Sequence, residues 1–242
     1  MGSVAENLAV VEARIKAACT RVGRDPSEVR LLPVSKSQGM DLISDAYEAG
    51  VRLLGENKVQ EALDKAKRFA DHPDLRWAII GNLQRNKAKQ VALIASEFHA
   101  LDTIKVAAAL DQALEFEGRT LDVFLQVNSS GEPQKHGLPP DEVEPFAIAL
   151  KAFADTLRVR GLMTLAVLSD DQREIRACFE RMRELQRRLQ GSDDVAGTYD
   201  ELSMGMSGDL EIAIEYGATT VRVGQAIFGP RPTPDMYRLQ TM

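Results

Sequence analysis

Hydrophobic positions recur along the chain in two alternating patterns. Short apolar runs, typical of buried strands, alternate with segments whose apolar residues recur every three or four positions, which is typical of helices. The clearest helix is 173–190, where one apolar stripe is formed by Ile175, Cys178, Phe179, Met182, Leu185 and Leu189. Eight strands are predicted, at 29–35, 51–55, 75–81, 97–102, 121–128, 157–167, 201–205 and 219–224. Strands that alternate with helices in this way predict parallel pairing.

The number of strands and the chain length favour one architecture. Helices are predicted at 4–22, 40–49, 58–70, 86–95, 104–116, 141–154, 173–190 and 209–216, the first preceding all strands. Eight strands that alternate with helices in 242 residues predict a single (β/α)8 TIM-type barrel domain over residues 1–242, with an extra N-terminal helix. An open doubly wound sheet is the alternative, but the first turn, "VSKSQGMD", lacks its G-x-G-x-x-G motif.

Composition and charge exclude several classes of protein. The formal net charge is -6, which disfavours nucleic-acid binding because that function needs a clustered basic surface. No apolar run is long enough to span a membrane. The two cysteines, Cys19 and Cys178, fall in predicted helices, which fits a reducing cytoplasm and predicts no disulfide. The three histidines are scattered, so no metal site is predicted.

The loops after the seventh and eighth strands are the most unusual segments. In such barrels ligands bind at the carboxyl ends of the strands, and phosphate often binds at these two loops. The first loop is "SMGMSGD" (203–209), which offers glycines, the Ser207 hydroxyl and the start of a helix; the second has Gly224 in "RVGQ". An ordinary helix cap and turn would have the same composition, so phosphate binding is one of two interpretations.

Two cationic residues are predicted near these loops. Arg222 lies between two valines of the eighth strand, so it points into the barrel if the valines pack outward. A buried guanidinium needs a partner, which is either an internal ion pair with Glu56 or Asp209, or a ligand. Lys36 follows the first strand and Asn57 the second, on the same rim.

A lysine, a phosphate-binding loop and an interior arginine at one rim suggest covalent chemistry with a phosphorylated carbonyl compound. A lysine amine that condenses with a carbonyl forms a Schiff base. Pyridoxal 5′-phosphate (PLP) carries both an aldehyde and a phosphate and would use all three parts. A sugar-phosphate aldolase would use them as well, so the residues alone leave both alternatives open.

Seven motifs resemble those of one family. They are "VSK" (34–36), "GENKVQE" (55–61), "IGNLQRNK" (80–87), "QVNSSGEPQKHG" (126–137), "GLMT" (161–164), "LSMGMSGD" (202–209) and "VRVGQAIFG" (221–229). They resemble the YggS/PROSC family of pyridoxal phosphate homeostasis proteins over nearly the whole chain. The resemblance implies the barrel of the N-terminal domain of alanine racemase.

The same resemblance implies a role for six residues around PLP. Lys36 would hold the cofactor covalently, Asn57 would lie beside it, and Met206 would pack near it. Ser207 and the backbone around Gly224 would hold the phosphate, and Arg222 would approach the pyridine nitrogen. Two positions depart from the family pattern. Ala78 stands where a histidine is usual, and Lys58 stands where an aromatic residue is often found.

Two functional classes remain: a carrier that buffers PLP, and a PLP enzyme such as an amino-acid racemase. Arginine can only donate hydrogen bonds, so the ring nitrogen beside Arg222 would stay unprotonated and the ring would be a weak electron sink. No tyrosine or histidine is expected opposite Lys36, and the second domain of the racemase is expected to be missing. We therefore predict a cytoplasmic, non-catalytic PLP carrier that is a monomer and whose partners include PLP-dependent apo-enzymes.

Overall fold

Eight parallel strands form a single sheet in the computed structural model, which describes residues 2–230. The strands are β1 (Arg30–Pro33), β2 (Leu53–Glu56), β3 (Arg76–Ile79), β4 (Ala95–Leu101), β5 (Leu121–Val127), β6 (Leu157–Thr164), β7 (Glu201–Ser203) and β8 (Thr220–Val223). Their order in the sheet is β1-β8-β7-β6-β5-β4-β3-β2. All eight strands expected from the sequence are present.

The sheet curves until the two strands at its edges, β1 and β2, meet. β1 and β2 stand at the two ends of the strand order and are joined by an isolated bridge between Val34 and Gly55. The Ser35 N–H donates to the carbonyl of Gly55 across this seam at 3.0 Å. The result is a nearly closed parallel barrel, which confirms the predicted (β/α)8 fold.

Helices follow the strands in the expected alternation. Within residues 2–230 they are α1 (Val4–Arg21), α2 (Met40–Glu48), α3 (Val59–Arg68), α4 (Ala88–Ile94), α5 (Ile104–Glu117), α6 (Val143–Ala149), α7 (Gln172–Gln190), α8 (Leu210–Glu215) and α9 (Gln225–Phe228). Helix α9 is not among the predicted helices, because four residues are too few to show a helical period. The sixth strand was predicted to reach residue 167, whereas β6 ends at Thr164.

The barrel interior combines a small apolar cluster with a larger polar set. Leu32, Leu53 and Ala78 form the apolar cluster, apart from the main core between strands and helices. The polar residues buried in the strands β4, β7 and β8 are Glu97, His99, Ser203, Thr220 and Arg222. Because buried polar groups are costly without partners, such an interior requires a complete hydrogen-bond network.

Helix α1 is joined by hydrogen bonds to the last part of the described chain. It begins with the predicted capping box between Ser3 and Glu6. Arg14 donates to the carboxylate of Glu211 on α8 and to the carbonyl of Ser207, at 2.8–3.0 Å. Nearer the start of α1, the Asn7 side-chain amide donates to the carbonyl of Ile227 at 2.8 Å. The extra N-terminal helix therefore supports both loops that were singled out as phosphate-binding.

Three further predictions concern residues away from the barrel rim. Cys19 and Cys178 are buried, unpaired and helical, as expected. No helix within residues 2–230 combines the length and the hydropathy that crossing a bilayer would require. The fourth tyrosine, Tyr237, which the sequence places in the C-terminal tail and away from the predicted rim, lies outside the described residues.

Candidate functional site

A cavity of about 480 Å³ opens at the carboxyl ends of the strands. Its volume lies in the range of small-molecule sites. The structure brings all six residues singled out in the sequence to its wall: Lys36, Asn57, Met206, Ser207, Arg222 and Gly224. We call residues 35–38 and 56–57 the lysine side, and residues 205–209 and 224–225 the glycine side.

The lysine side is built where β1 and β2 end. Lys36 lies three residues beyond the last residue of β1, and Asn57 directly follows β2. Ser37, next to Lys36, has a φ of 62°, which is uncommon for a residue other than glycine. The chain therefore turns sharply at Lys36 instead of continuing the strand.

The glycine side begins with a backbone turn after β7. The carbonyl of Met206 accepts from the N–H groups of Asp209 and Leu210, and the Asp209 carboxylate accepts from the N–H of Met206 at 2.5 Å. Gly205 has a φ of 96°, and a Cβ there would lie 2.6 Å from the Cβ of Ala213. Only glycine fits this position without strain.

The second loop of the glycine side starts at Gly224, immediately after β8. Its carbonyl accepts from the N–H groups of Ile227 and Phe228 at 2.9 Å, which forms the short helix α9. A Cβ at Gly224 would lie 3.0 Å from the carbonyl oxygen of Val34. The glycine thus allows the ends of β8 and β1 to approach closely beside the cavity.

Backbone donors on the glycine side remain available for a ligand. Among residues 2–230, none accepts a hydrogen bond from the backbone N–H of Ser207, Gly208 or Gly224. All three residues line the cavity. Backbone N–H groups in glycine-rich turns are suited to phosphate oxygens. The glycines and the start of a helix expected from the sequence are present, and Asp209 is the cap residue of α8. Phosphate binding at these loops stays a prediction.

Arg222 reaches the cavity from the barrel interior and is 4% exposed. Its guanidinium donates to the Ser203 carbonyl (2.6 Å), the Ser203 hydroxyl (2.8 Å) and the Thr164 carbonyl (2.7 Å). Burial lowers its pKa to about 10, so it stays charged at neutral pH. Neither ion pair weighed in the sequence analysis forms: Glu56 pairs with Lys65, and Asp209 influences Arg222 only through its field.

A directed hydrogen-bond network extends from Arg222 across the barrel. The carboxylate of Glu97 accepts from Arg30 and lies 2.8 Å from His99 Nε2. His99 Nδ1 lies 2.9 Å from the Ser203 hydroxyl. A proton on Nε2 leaves Nδ1 as the acceptor for this hydroxyl, whose oxygen then accepts from Arg222. The network satisfies each buried polar group and fixes the orientation of the guanidinium.

The electrostatics of this network follow from burial and pairing. Burial by itself would raise the pKa of Glu97, but hydrogen bonds from His99 and Arg30 outweigh it and lower the pKa to about 2. Burial lowers the pKa of His99 below its usual 6.5, against the opposing effect of Glu97. At neutral pH the interior therefore contains a carboxylate and a neutral imidazole.

Sequence reasoning missed several residues of the cavity wall. These are Gln38, Asn82, Gln126, His136 and Leu165 among others. Most lie at or just after the ends of β1, β3, β5 and β6, so position at a strand end is the signal that could have found them. His136 belongs to the long loop after β5, where no periodic pattern predicts the path of the chain.

The presence of His136 corrects one expectation. The sequence predicted no histidine opposite Lys36, yet His136 and Lys36 line the same cavity. Burial raises the pKa of the nearby Asp102, just beyond β4, while His136 acts to lower it. None of the three described tyrosines lines the cavity, as expected.

The two departures from the family pattern lie away from the cavity wall. Ala78 is fully buried in the apolar cluster inside the barrel. Lys58 is exposed and precedes α3 as its N-terminal cap residue. Neither residue lines the cavity, so neither alters its set of hydrogen-bonding groups.

Comparison with known proteins identifies the class of protein. Residues 7–232 match the family profile described as alanine racemase, N-terminal domain, so this is an alanine-racemase-type barrel. The pyridoxal phosphate homeostasis protein of Pseudomonas aeruginosa is 42% identical over 231 residues, covering 96% of this chain and 97% of that one. The chain belongs to the pyridoxal phosphate homeostasis protein family. The human protein of the same name is 35% identical, with coverage of 94% and 88%.

Solved structures agree with this assignment. PipY of Synechococcus elongatus, 35% identical, has been solved without PLP and with PLP bound. The TM-scores against this chain are 0.84 and 0.80, and each comparison covers 94% of this chain and 100% of PipY. The barrel therefore has a structural counterpart in a protein that has been solved with PLP bound.

Proposed function

We propose that this protein binds PLP through a covalent link to Lys36 and serves to buffer or carry the cofactor in the cell. The observation that supports this most is the cavity itself, which joins Lys36, Arg222 and the glycine side within about 480 Å³. The names of the relatives and the PLP bound by PipY support the same function.

The residues present fit PLP in size and chemistry. The phosphate needs several donors, and the Ser207 hydroxyl together with the backbone N–H groups of Ser207, Gly208 and Gly224 can supply them. Asn57 and Met206 would contact the cofactor from the lysine side and the glycine side. When bound, PLP supplies an aldehyde that a primary amine can capture.

Lys36 would perform the covalent step. A neutral lysine amine could condense with the aldehyde of the cofactor, and the aldehyde oxygen would leave with the two amine hydrogens as water. Lys36 lies just beyond β1 and lines the same cavity as the glycine side, which suits a lysine that holds one end of a ligand while the loops hold the other.

Arg222 supports a carrier more than an enzyme. A guanidinium has no acceptor, and its pKa of about 10 keeps it protonated at neutral pH. Beside the pyridine nitrogen it would disfavour ring protonation and so weaken the electron withdrawal on which PLP enzymes depend. We propose that the protein binds PLP without efficient turnover of amino acids.

One observation favours the alternative, a PLP-dependent amino-acid racemase. His136 lines the cavity and could serve as a proton donor or acceptor in addition to Lys36. Its side chain is exposed, however, and it lies on a loop that is open to solvent. Bulk water there would compete with His136 for protons, which disfavours a racemase. The open loop also suits a carrier that releases its ligand to partners such as PLP-dependent apo-enzymes.

The covalent link is tested by reduction with borohydride and peptide mapping. The pyridoxyl group is expected on Lys36, and Lys36→Ala should abolish it while leaving weaker binding through the phosphate. Lys58→Ala is a matched control, because Lys58 is exposed and does not line the cavity. A label on Lys58 or Lys135 instead would refute the assignment of Lys36.

The role of the glycine side is tested by removing the phosphate from the ligand. Pyridoxal should bind much more weakly than PLP, because charge-assisted bonds to phosphate are stronger than neutral ones. Ser207→Ala should weaken PLP binding only moderately, since the backbone donors remain. Equal affinities for pyridoxal and PLP would contradict a phosphate site.

Catalysis is tested by following α-hydrogen exchange of L- and D-amino acids by NMR in D₂O with the PLP-loaded protein. A carrier should show exchange far slower than ordinary enzymatic turnover. Exchange of any amino acid on the order of 1 per second or faster would establish the racemase alternative. In that case His136→Gln should reduce the rate.

A further inference from the structure

Lys65 is a buried lysine that the proposed function does not use. It lies on α3, and its side chain is 2% exposed. Its ammonium donates to the Ser35 carbonyl (2.7 Å), Glu56 Oε1 (2.6 Å) and Glu61 Oε1 (2.7 Å). Lys65 thus uses all three of its N–H bonds inside the protein.

This network reaches both neighbours of Lys36 in the chain. On one side the carbonyl of Ser35 accepts from Lys65, and the Ser35 hydroxyl donates to Glu56 at 2.5 Å. On the other side the backbone N–H of Ser37 donates to Glu61 Oε1 at 2.6 Å. The same carboxylate oxygen of Glu61 therefore accepts from Lys65 and from the residue after Lys36.

The conformation of Ser37 requires such support. Its φ of 62° lies in the left-handed region, which costs free energy for a residue with a Cβ. The charge-assisted bond from its N–H to Glu61 is of the strong class and offsets that cost. Without it, the chain at residue 37 would be free to relax toward more common backbone angles.

We propose that Glu61 and Lys65 are positioning residues for Lys36. By fixing the peptide groups on both sides of it, they hold the lysine on the cavity wall and favour its condensation with an aldehyde. They do not line the cavity and contact no part of the glycine side. This inference rests on the proposed function, since it assigns a cause to the reactivity of Lys36 toward PLP.

The test compares covalent and non-covalent binding in Glu61→Ala. PLP reports condensation through the absorbance of the carbon–nitrogen double bond. 4-Deoxypyridoxine 5′-phosphate, which lacks the aldehyde, reports non-covalent binding without condensation. We expect Glu61→Ala to slow condensation about tenfold and to change the Kd of the analogue less than about twofold. Asp64→Ala is the matched control, because Asp64 is an exposed acid on the same helix.

A conservative variant separates positioning from general stability. Glu61→Gln keeps an oxygen that can accept from the Ser37 N–H and should recover most of the condensation rate. If Glu61→Ala weakened the binding of the analogue as much as it slowed the condensation of PLP, Glu61 would have only a structural role, and the inference would be overturned. An unchanged condensation rate would overturn it as well. If the wild-type protein binds the analogue but condenses with no aldehyde, the proposed function itself is refuted, and the inference falls with it.

Discussion

The two sides of the cavity are held in place by different chemistry. The lysine side depends on buried charges: Lys65 is bonded to Glu56 and Glu61, and through them to the residues around Lys36. The glycine side depends on backbone turns, closed by the carbonyls of Met206 and Gly224. Arg14 of α1, which donates hydrogen bonds to Glu211 and to the Ser207 carbonyl on this side, is partly exposed.

This difference predicts how each side responds to substitution. A buried ion network fails when one partner is removed, because the remaining charges lose their compensation. A backbone turn is indifferent to most side chains and sensitive to those that change its φ and ψ angles. The lysine side should therefore be vulnerable at charged positions, and the glycine side at its glycines.

The largest expected effect is that of Lys65→Met on the lysine side. The substitution leaves two carboxylates, one of them fully buried, without their ammonium partner. We expect the free energy of unfolding, measured in urea, to fall by about 3–5 kcal/mol. Lys67→Met, at an exposed position of the same helix, should change it by less than about 0.5 kcal/mol. Equal effects of the two substitutions would contradict the importance of the buried network.

The glycine side should respond most to Gly205→Ala. The new methyl group would meet Ala213 at 2.6 Å, at a φ of 96° that alanine rarely adopts. We expect a loss of about 1–3 kcal/mol in the free energy of unfolding of the ligand-free protein. Gly208→Ala is the control, because a Cβ there meets nothing within 4 Å. A similar loss in both variants would show that loop strain is not the cause.

The buried network of Arg222, His99 and Glu97 inside the barrel predicts that stability depends on pH. The folded-state pKa of His99 is lowered, so below about pH 6.5 the unfolded chain binds more protons than the folded protein. Stability is therefore full above pH 6.5 and falls as the pH is lowered through this value. The Glu97 contribution has the same sign but is lost only at more acidic pH, as the pH falls from 4.5 toward its pKa of about 2.

We expect the free energy of unfolding to fall by about 1 kcal/mol between about pH 7 and pH 5.5. His99→Gln should be less stable at pH 7 and show a flatter profile, because glutamine does not titrate. His136→Gln removes an exposed histidine and should retain the wild-type slope. A profile that is equally steep in His99→Gln would exclude His99 as the origin of the dependence.

The smallest expected effect is that of Arg14→Ala, which removes the support of α1 for the glycine side. Arg14 and Glu211 are each about one-third exposed, so the loss of stability should stay below about 1 kcal/mol. The bond to the Ser207 carbonyl is also lost, and PLP should bind roughly threefold more weakly, or about 0.7 kcal/mol. Lys16→Ala, exposed on the same helix, should leave the affinity unchanged.

The sequence predicted the parts of the molecule that depend on local pattern. Eight apolar runs gave the strands, and the ends of those strands gave Lys36, Asn57 and Gly224 as cavity residues. These predictions succeed because a parallel barrel brings all carboxyl strand ends to one rim. The motifs "LSMGMSGD" and "VRVGQAIFG" added the loops of the glycine side.

The remaining parts depend on contacts between distant segments. Lys65 lies in "VQEALDKAKR", where it is one of several charged residues and resembles a surface lysine. It is buried because Glu56 of β2 and the Ser35 carbonyl pack against it, and no periodicity encodes that. His136 was missed for a similar reason, since the path of its long loop is set by the strands around it.

The pairing of β1 with β8 has a consequence for the protein during its synthesis. The lysine side is translated early, whereas Arg222 and Gly224 follow nearly 200 residues later. Asn7 likewise cannot form its hydrogen bond until Ile227, 220 residues away, has been translated. Ribosomes add about 5–20 residues per second, so Lys36 exists for some seconds before the rest of its cavity. A nascent chain that lacks β8 has neither the closed barrel nor the second loop of the glycine side. Capture of the cofactor should therefore be confined to chains whose translation has passed α9, which makes cofactor loading a late marker of complete folding.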